Sequence, residues 1–106
     1  MNEKYNGWAN FETWLTALWL SEWHLTYADF LTDQELDSAA KFDFDKVCYR
    51  LSECLRDQVE EFSEQENACT GLFADLLNSA LSRVDWYDIA YNWLSNAVQE
   101  VENNAV

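Results

Sequence analysis

Hydrophobic residues recur along this chain at helical spacing nearly from end to end. Phe11, Trp14, Leu15 and Leu18 fall at i, i+3, i+4 and i+7, one face of a helix, and Asn10 before them is a good N-cap. This first helix is expected to run to about Leu20. Ser21 can cap a second one carrying Trp23, Tyr27, Phe30 and Leu31, and a single helix across 10–31 fits the pattern equally well. Thr32 followed by Glu35 forms a capping box that opens a short helix with Leu36, Ala39 and Ala40. Asp43 is expected to cap the longest helix, over 44–63. Its apolar residues Phe44, Val47, Cys48, Leu51, Cys54, Leu55, Val59 and Phe62 fall within an arc of about 140°.

Ser63 to Ala68 reads as a polar connection. A helix over 70–83 follows, with Leu72, Phe73, Leu76, Leu77, Ala80 and Leu81 expected inward. Asp85, with Asp88 at its third helical position, caps a last helix whose stripe runs from Trp86 through Ile89, Trp93 and Leu94 to Val101. Residues 1–9 read as an irregular arm and 103–106 as a frayed tail. There is no Pro and only two Gly, Gly7 and Gly71, which disfavours hairpins. The pattern therefore predicts an all-α fold: a compact single-domain bundle of about five or six helices over residues 1–106.

Composition changes this picture in one respect. The 106 residues hold 20 Asp and Glu against 6 Lys and Arg, a net charge of −14. Such a chain could be disordered, but Leu, Ile, Val and Phe make up about a quarter of it, above the disordered range. Six Trp and five Tyr add apolar area, so a core can form. The charge excludes direct nucleic-acid binding and adhesion to anionic membranes, both of which need a basic footprint. No run of about 18 apolar residues exists to span a bilayer, and Met1 to Lys4 leads into no secretory segment. Three irregularly spaced Cys fit a reducing, cytoplasmic setting.

The charge is uneven. Residues 1–28, 29–66 and 67–106 carry −2, −8 and −4. Within the middle segment Glu53, Asp57, Glu60, Glu61 and Glu64 cluster on the face of the long helix opposite its apolar arc, within roughly 100°. Like charges at i, i+4 cost a helix a few tenths of a kcal/mol each, so stability alone does not ask for such a row. A charged outer face is also what any solvated helix presents, and Lys46, Arg50 and Arg56 interrupt this one. Duplex DNA carries a comparable row, one negative charge per roughly 1.7 Å of axis. Whether Asp29, Asp33, Glu35, Asp37, Asp43 and Asp45 extend the row depends on the fold.

Other chemistry is sparse. His24 is the sole histidine, no C-x-x-C or H-E-x-x-H spacing occurs, and Cys48, Cys54 and Cys69 read as small hydrophobes. No metal, cofactor or enzymatic activity is expected. Trp8, Trp14, Trp19 and Trp23 crowd the first quarter of the chain. Trp14 is expected in the core, whereas Trp8 and Trp19 either cap it from outside or form an interface.

The stretch Asn6-Gly7-Trp8-Ala9-Asn10-Phe11-Glu12-Thr13-Trp14, continuing to Leu18-Trp19-Leu20, resembles the N-G-W-x-N-[YF]-E-T-W…L-W-L pattern near the start of small proteins of phages, plasmids and other mobile elements. Val84-Asp85-Trp86-Tyr87-Asp88-Ile89-Ala90 is similar to a second pattern near their C-termini. The resemblance implies a counter-defence setting, such as anti-restriction or anti-CRISPR inhibition, where several proteins are similar to DNA in charge. It carries over no catalytic residue. Physically, Gly7 permits a turn, and Trp8 is placed to pack back onto Trp14 or Leu15 as a hydrophobic staple does.

The expectation is a non-enzymatic cytoplasmic inhibitor. It would present Glu53, Asp57, Glu60, Glu61 and Glu64 to a basic nucleic-acid-binding protein, such as a CRISPR or restriction complex. The alternative is an aromatic-faced helical module that forms a homodimer or binds a host protein through Trp8, Trp19 and Trp23.

Overall fold

A computed structural model describes residues 4–66 and 71–104, apart from the side chains of 64–66, 73 and 104. Helix accounts for 82% of these residues, and no strand occurs among them. Four helices carry the fold rather than five or six: α1 (Phe11–Glu22), α3 (Phe44–Glu66), α4 (Gly71–Ser82) and α5 (Trp86–Asn104). The short α2 (Asp33–Ser38) is joined to α3 by a π-helical turn, Ala39–Asp43. Ser38, Ala39 and Phe44 all keep right-handed helical angles, so the chain never leaves the helical path. Asp43 is therefore not the expected cap of the long helix, and instead accepts a 3.0 Å hydrogen bond from the Ser38 hydroxyl.

The local starts expected at Asn10, Thr32 and Asp85 are present. Asn10 Oδ1 accepts from the Thr13 N–H at 2.8 Å, and Asp85 Oδ1 from the Asp88 N–H at 3.0 Å. Thr32 and Glu35 exchange side-chain-to-backbone bonds at 3.0 and 3.1 Å. The first helix ends at Glu22, close to the expected stop near Leu20, but neither a second helix from Ser21 nor a single helix across 10–31 forms. His24 enters the left-handed region at φ 61°, where its N–H reaches Ser21 O and that of Leu25 reaches Leu20 O. This Schellman closure ends α1, and only a single 3₁₀ turn, Tyr27–Asp29, follows.

The core is built by α5 lying along α3, with α1 and α2 packed against α5. Leu20 of α1, Leu51 and Leu55 of α3, and Ile89 and Leu94 of α5 are fully buried. The apolar arc of the long helix is thus where the spacing put it. The face of α4 is not: Leu72 and Leu76, expected inward, are 68% and 56% exposed, and α4 packs extensively on no other helix. A periodic stripe requires an apolar face but not that anything covers it. Leu76→Gln should accordingly change stability by less than about 0.5 kcal/mol in urea unfolding. Amides of α4 should also exchange with solvent faster than those of α5.

The N-terminal arm is more ordered than expected. Asn6 and Gly7 sit at φ 48° and 88° between Tyr5 and Trp8, which exchange backbone bonds of 2.7 and 2.8 Å. Positive φ at both central residues defines a tight type I′ turn, which Asn-Gly favours.

Candidate functional site

The N-terminal motif and the 84–90 segment meet. Thr13, fully buried, donates through its hydroxyl to Asn10 Oδ1 at 2.7 Å and accepts from the Asp85 N–H at 2.8 Å. Asn10 Nδ2 reaches Arg83 O at 2.6 Å, and the Ala9 N–H donates to Asp88 Oδ2 at 2.9 Å. Arg83 closes the clasp with an ion pair to Glu12 at 3.2 Å. The two helix starts thus satisfy each other's polar groups, which accounts for Asn10, Glu12, Thr13, Asp85 and Asp88 in the two motifs. Tyr5, rather than Trp8, packs back on the first helix, with rings 5.2 Å from both Phe11 and Trp14. Trp14 belongs to this half-buried aromatic cluster rather than to the core, and Trp8 packs on the core instead.

Beside the clasp, Tyr87 on α5 donates to Asp45 Oδ1 at 3.4 Å and faces Cys48. Burial, reinforced by Cys48 and Asp45, pushes its hydroxyl from 10 up to about 12, and burial likewise raises the Cys48 thiol. The folded protein holds the Tyr87 proton at pH values where the unfolded chain releases it. Tyr87 is itself 38% exposed, so a small fall in stability is expected as pH rises from 10 through 12, and Tyr87→Phe should flatten that slope in urea unfolding at stepped pH.

Two surfaces remain as candidates. On the first, Glu53, Asp57, Glu60 and Glu61 are all exposed on the outer face of α3, and the side chain of Glu64 lies outside the described residues. Arg56 meets Asp57 at 3.9 Å rather than Glu53 or Glu60. Arg50 is drawn aside to Glu35 at 3.1 Å and to Phe30 O, which ties α2 to the flank of the row. The flanking acids are mostly engaged locally. Asp29 accepts from the Thr26 N–H, Glu35 caps α2, Asp37 pairs with Lys41, and Asp45 takes the Tyr87 proton donor.

The second surface is an aromatic groove of about 780 Å³ between α1 and the C-terminal half of α3, lined by Leu15, Thr16, Trp19, Trp23, Val59 and Phe62. Trp19 and Trp23 stay 52% and 41% exposed. Their rings lie 6.3 Å apart, and Trp23 meets Phe62 edge-on at 4.9 Å. Trp8 does not line this groove. Val59 and Phe62 entered the sequence pattern only as core positions. Among the described residues no group of three or more His, Cys, Asp or Glu could hold a metal, and no helix is long and apolar enough to cross a membrane.

Fold and surface together define a small helical protein whose exposed chemistry is a carboxylate row and an aromatic groove. The chain belongs to DUF7249, a family of unknown function, whose model matches residues 1–105. No curated protein and no solved structure matches it.

Proposed function

We propose that the protein is an acidic, non-catalytic inhibitor that occupies a basic DNA- or RNA-binding surface of a host CRISPR or restriction complex. The observation that carries this reading is the exposed run Glu53, Asp57, Glu60 and Glu61 along the outer face of a 23-residue helix. A helix rises 1.5 Å per residue, so carboxylates one turn apart stand about 6 Å from each other, a regular negative row of the same order as the roughly 3.4 Å axial charge spacing of one DNA strand. Leu51 and Leu55, both fully buried, anchor α3 in the core, so the row is carried on a helix already formed before binding. A net charge of −14 exceeds the magnitude of about 2 to 8 that solubility asks of a small domain. The row also runs against helix stability, since Glu53–Asp57 and Asp57–Glu61 are like-charged i, i+4 pairs.

The test is inhibition of target-DNA cleavage by a guide-loaded CRISPR effector and by a restriction complex, each over a salt series. Complementary charge predicts that inhibition competes with DNA and weakens steeply as ionic strength rises. Inhibition that ignores salt, or none against either complex, would sink the proposal.

A further inference from the structure

The Asn6-Gly7 turn carries chemistry as well as shape. Asn6 is the only asparagine in the chain that is followed by glycine. The backbone nitrogen after an asparagine can attack that asparagine's side-chain amide, and glycine, with no Cβ, obstructs the attack least. Nothing stands within 4 Å of where a Cβ at Gly7 would lie, so the space beside that nitrogen is open. Asn6 and Gly7 are both exposed, and among the described residues neither the Asn6 side chain nor the Gly7 N–H has a hydrogen-bond partner.

The other asparagines of the described residues are held differently. Asn78 lies within α4, and Asn92, Asn96, Asn103 and Asn104 within α5, each followed by a residue with a side chain. Asn10 precedes Phe11, and its side chain is tied to Thr13 and to Arg83 O.

We infer that Asn6 is a site of spontaneous deamidation, and that its isoaspartyl product releases the N-terminal arm from α1. In the first step the Gly7 nitrogen gives up its proton and bonds to Asn6 Cγ. The bond from Cγ to Nδ2 breaks, and ammonia leaves, leaving a cyclic imide. Solvent water then opens the imide. Attack at Cγ restores the ordinary peptide link and leaves aspartate. Attack at the main-chain carbonyl carbon breaks its bond to the Gly7 nitrogen and leaves the chain linked through Cγ. Either way one water is consumed, one ammonia is released, and nothing is oxidised.

The two products differ in what they do to the turn. Aspartate keeps it, since Asp-Gly favours the same type I′ geometry. The isoaspartyl link adds a methylene to the backbone, so the loop no longer matches the two bonds exchanged by Tyr5 and Trp8. Tyr5 then loses the register that sets its ring against Phe11 and Trp14. The closed turn also slows the first step, because the Gly7 nitrogen must swing over the Asn6 side chain while those bonds oppose the rotation. The reaction therefore runs through brief openings of the arm, and such openings are most accessible near a chain end. This site does not rest on the inhibitor reading above.

The experiment incubates the full chain at neutral and mildly alkaline pH and follows it by peptide mapping, with aspartyl and isoaspartyl products separated. Asn6 should convert faster than Asn78, Asn92 and Asn96, and faster as pH rises, because the attacking nitrogen must lose its proton. Unfolding in urea should speed conversion at Asn6 about tenfold by removing the turn. Phe11→Ala, which takes away a ring partner of Tyr5, should act in the same direction on the folded chain. Trypsin cleavage after Lys4 reads the state of the arm, each rate being taken relative to a free peptide of residues 1–9 with the same residue at position 6. The isoaspartyl chain should be cut faster than the parent, and the Asn6→Asp chain at the parental rate. Conversion at Asn6 no faster than at the helical asparagines overturns the site. Equal cleavage of the isoaspartyl and parent chains overturns the release of the arm, and no acceleration in urea overturns the restraint by the turn. The parent chain alone decides the first of these, so it stands even where Phe11→Ala is destabilised.

Discussion

Replacing Asp57, Glu60 and Glu61 together by lysine is expected to weaken inhibition of a DNA-cleaving target by about a hundredfold or more. Charged pairs at an interface contribute on the order of 1 kcal/mol or more each, and three reversals replace attraction with repulsion at adjacent turns. Reversing Asp57 alone is insufficient, because Glu53, Glu60 and Glu61 would still present a negative row. All three positions are exposed, and Lys is as good a helix former as Glu and better than Asp. A lysine at 57 also stands one turn from Glu53, turning a repulsive i, i+4 pair into a favourable one. The triple variant loses the Arg56–Asp57 pair and keeps a like-charged pair at 57 and 61, so its melting temperature should stay close to the parent's and is measured beside inhibition. Unchanged inhibition by a folded triple variant would place the contact elsewhere.

The second large effect is on stability. Thr13→Val should cost about 2 kcal/mol and lower the melting temperature by about 10 °C in a chain of this size. Valine fills the same space as threonine. It cannot accept from the Asp85 N–H or donate to Asn10 Oδ1, and Thr13 itself is fully buried. Thr13→Ser keeps the hydroxyl and loses one methyl, so its cost should be nearer 1 kcal/mol. The loss in Thr13→Val should also be non-additive with Asn10→Ala, since one hydroxyl and one amide serve the same pair of helix starts. Equal stabilities for the Val and Ser variants would mean that the clasp contributes packing rather than hydrogen bonding.

What could be read from the chain was local. The caps at Asn10, Thr32 and Asp85 announce themselves because an N-cap depends on residues within one turn of each other. The buried arc of α3 was legible for a similar reason, as each position repeats the same geometry. The stop at His24 was not, because a left-handed closing residue is usually Gly and nothing marks a His for that role. The Asn6-Gly7 turn carried a recognised hairpin signal that the scarcity of Gly and Pro elsewhere in the chain masked. Leu72 and Leu76 look identical in sequence to covered positions, and only the third dimension distinguishes a seam from an open stripe. The two surfaces divide along the same line. Glu53 to Glu61 lie on one helix and could be placed by arithmetic. The groove joins Trp19 and Trp23 to Val59 and Phe62, about 40 residues away, through an approach of α1 to α3 that no periodicity contains.

The clasp also sets an order of events during synthesis. Its bonds join residues 71 to 79 positions apart, so Thr13 and Ala9 leave the ribosome with their partners not yet made. Helix α5, which lines the core against α1, α2 and α3, is made after all three. Until residues 83–94 emerge, the nascent chain exposes the apolar face of α3 while its carboxylates are already in solution. Those repelling charges disfavour contact between nascent chains during the interval in which their cores are open. The same acidity that would serve binding in the finished protein then acts first as protection against co-translational aggregation.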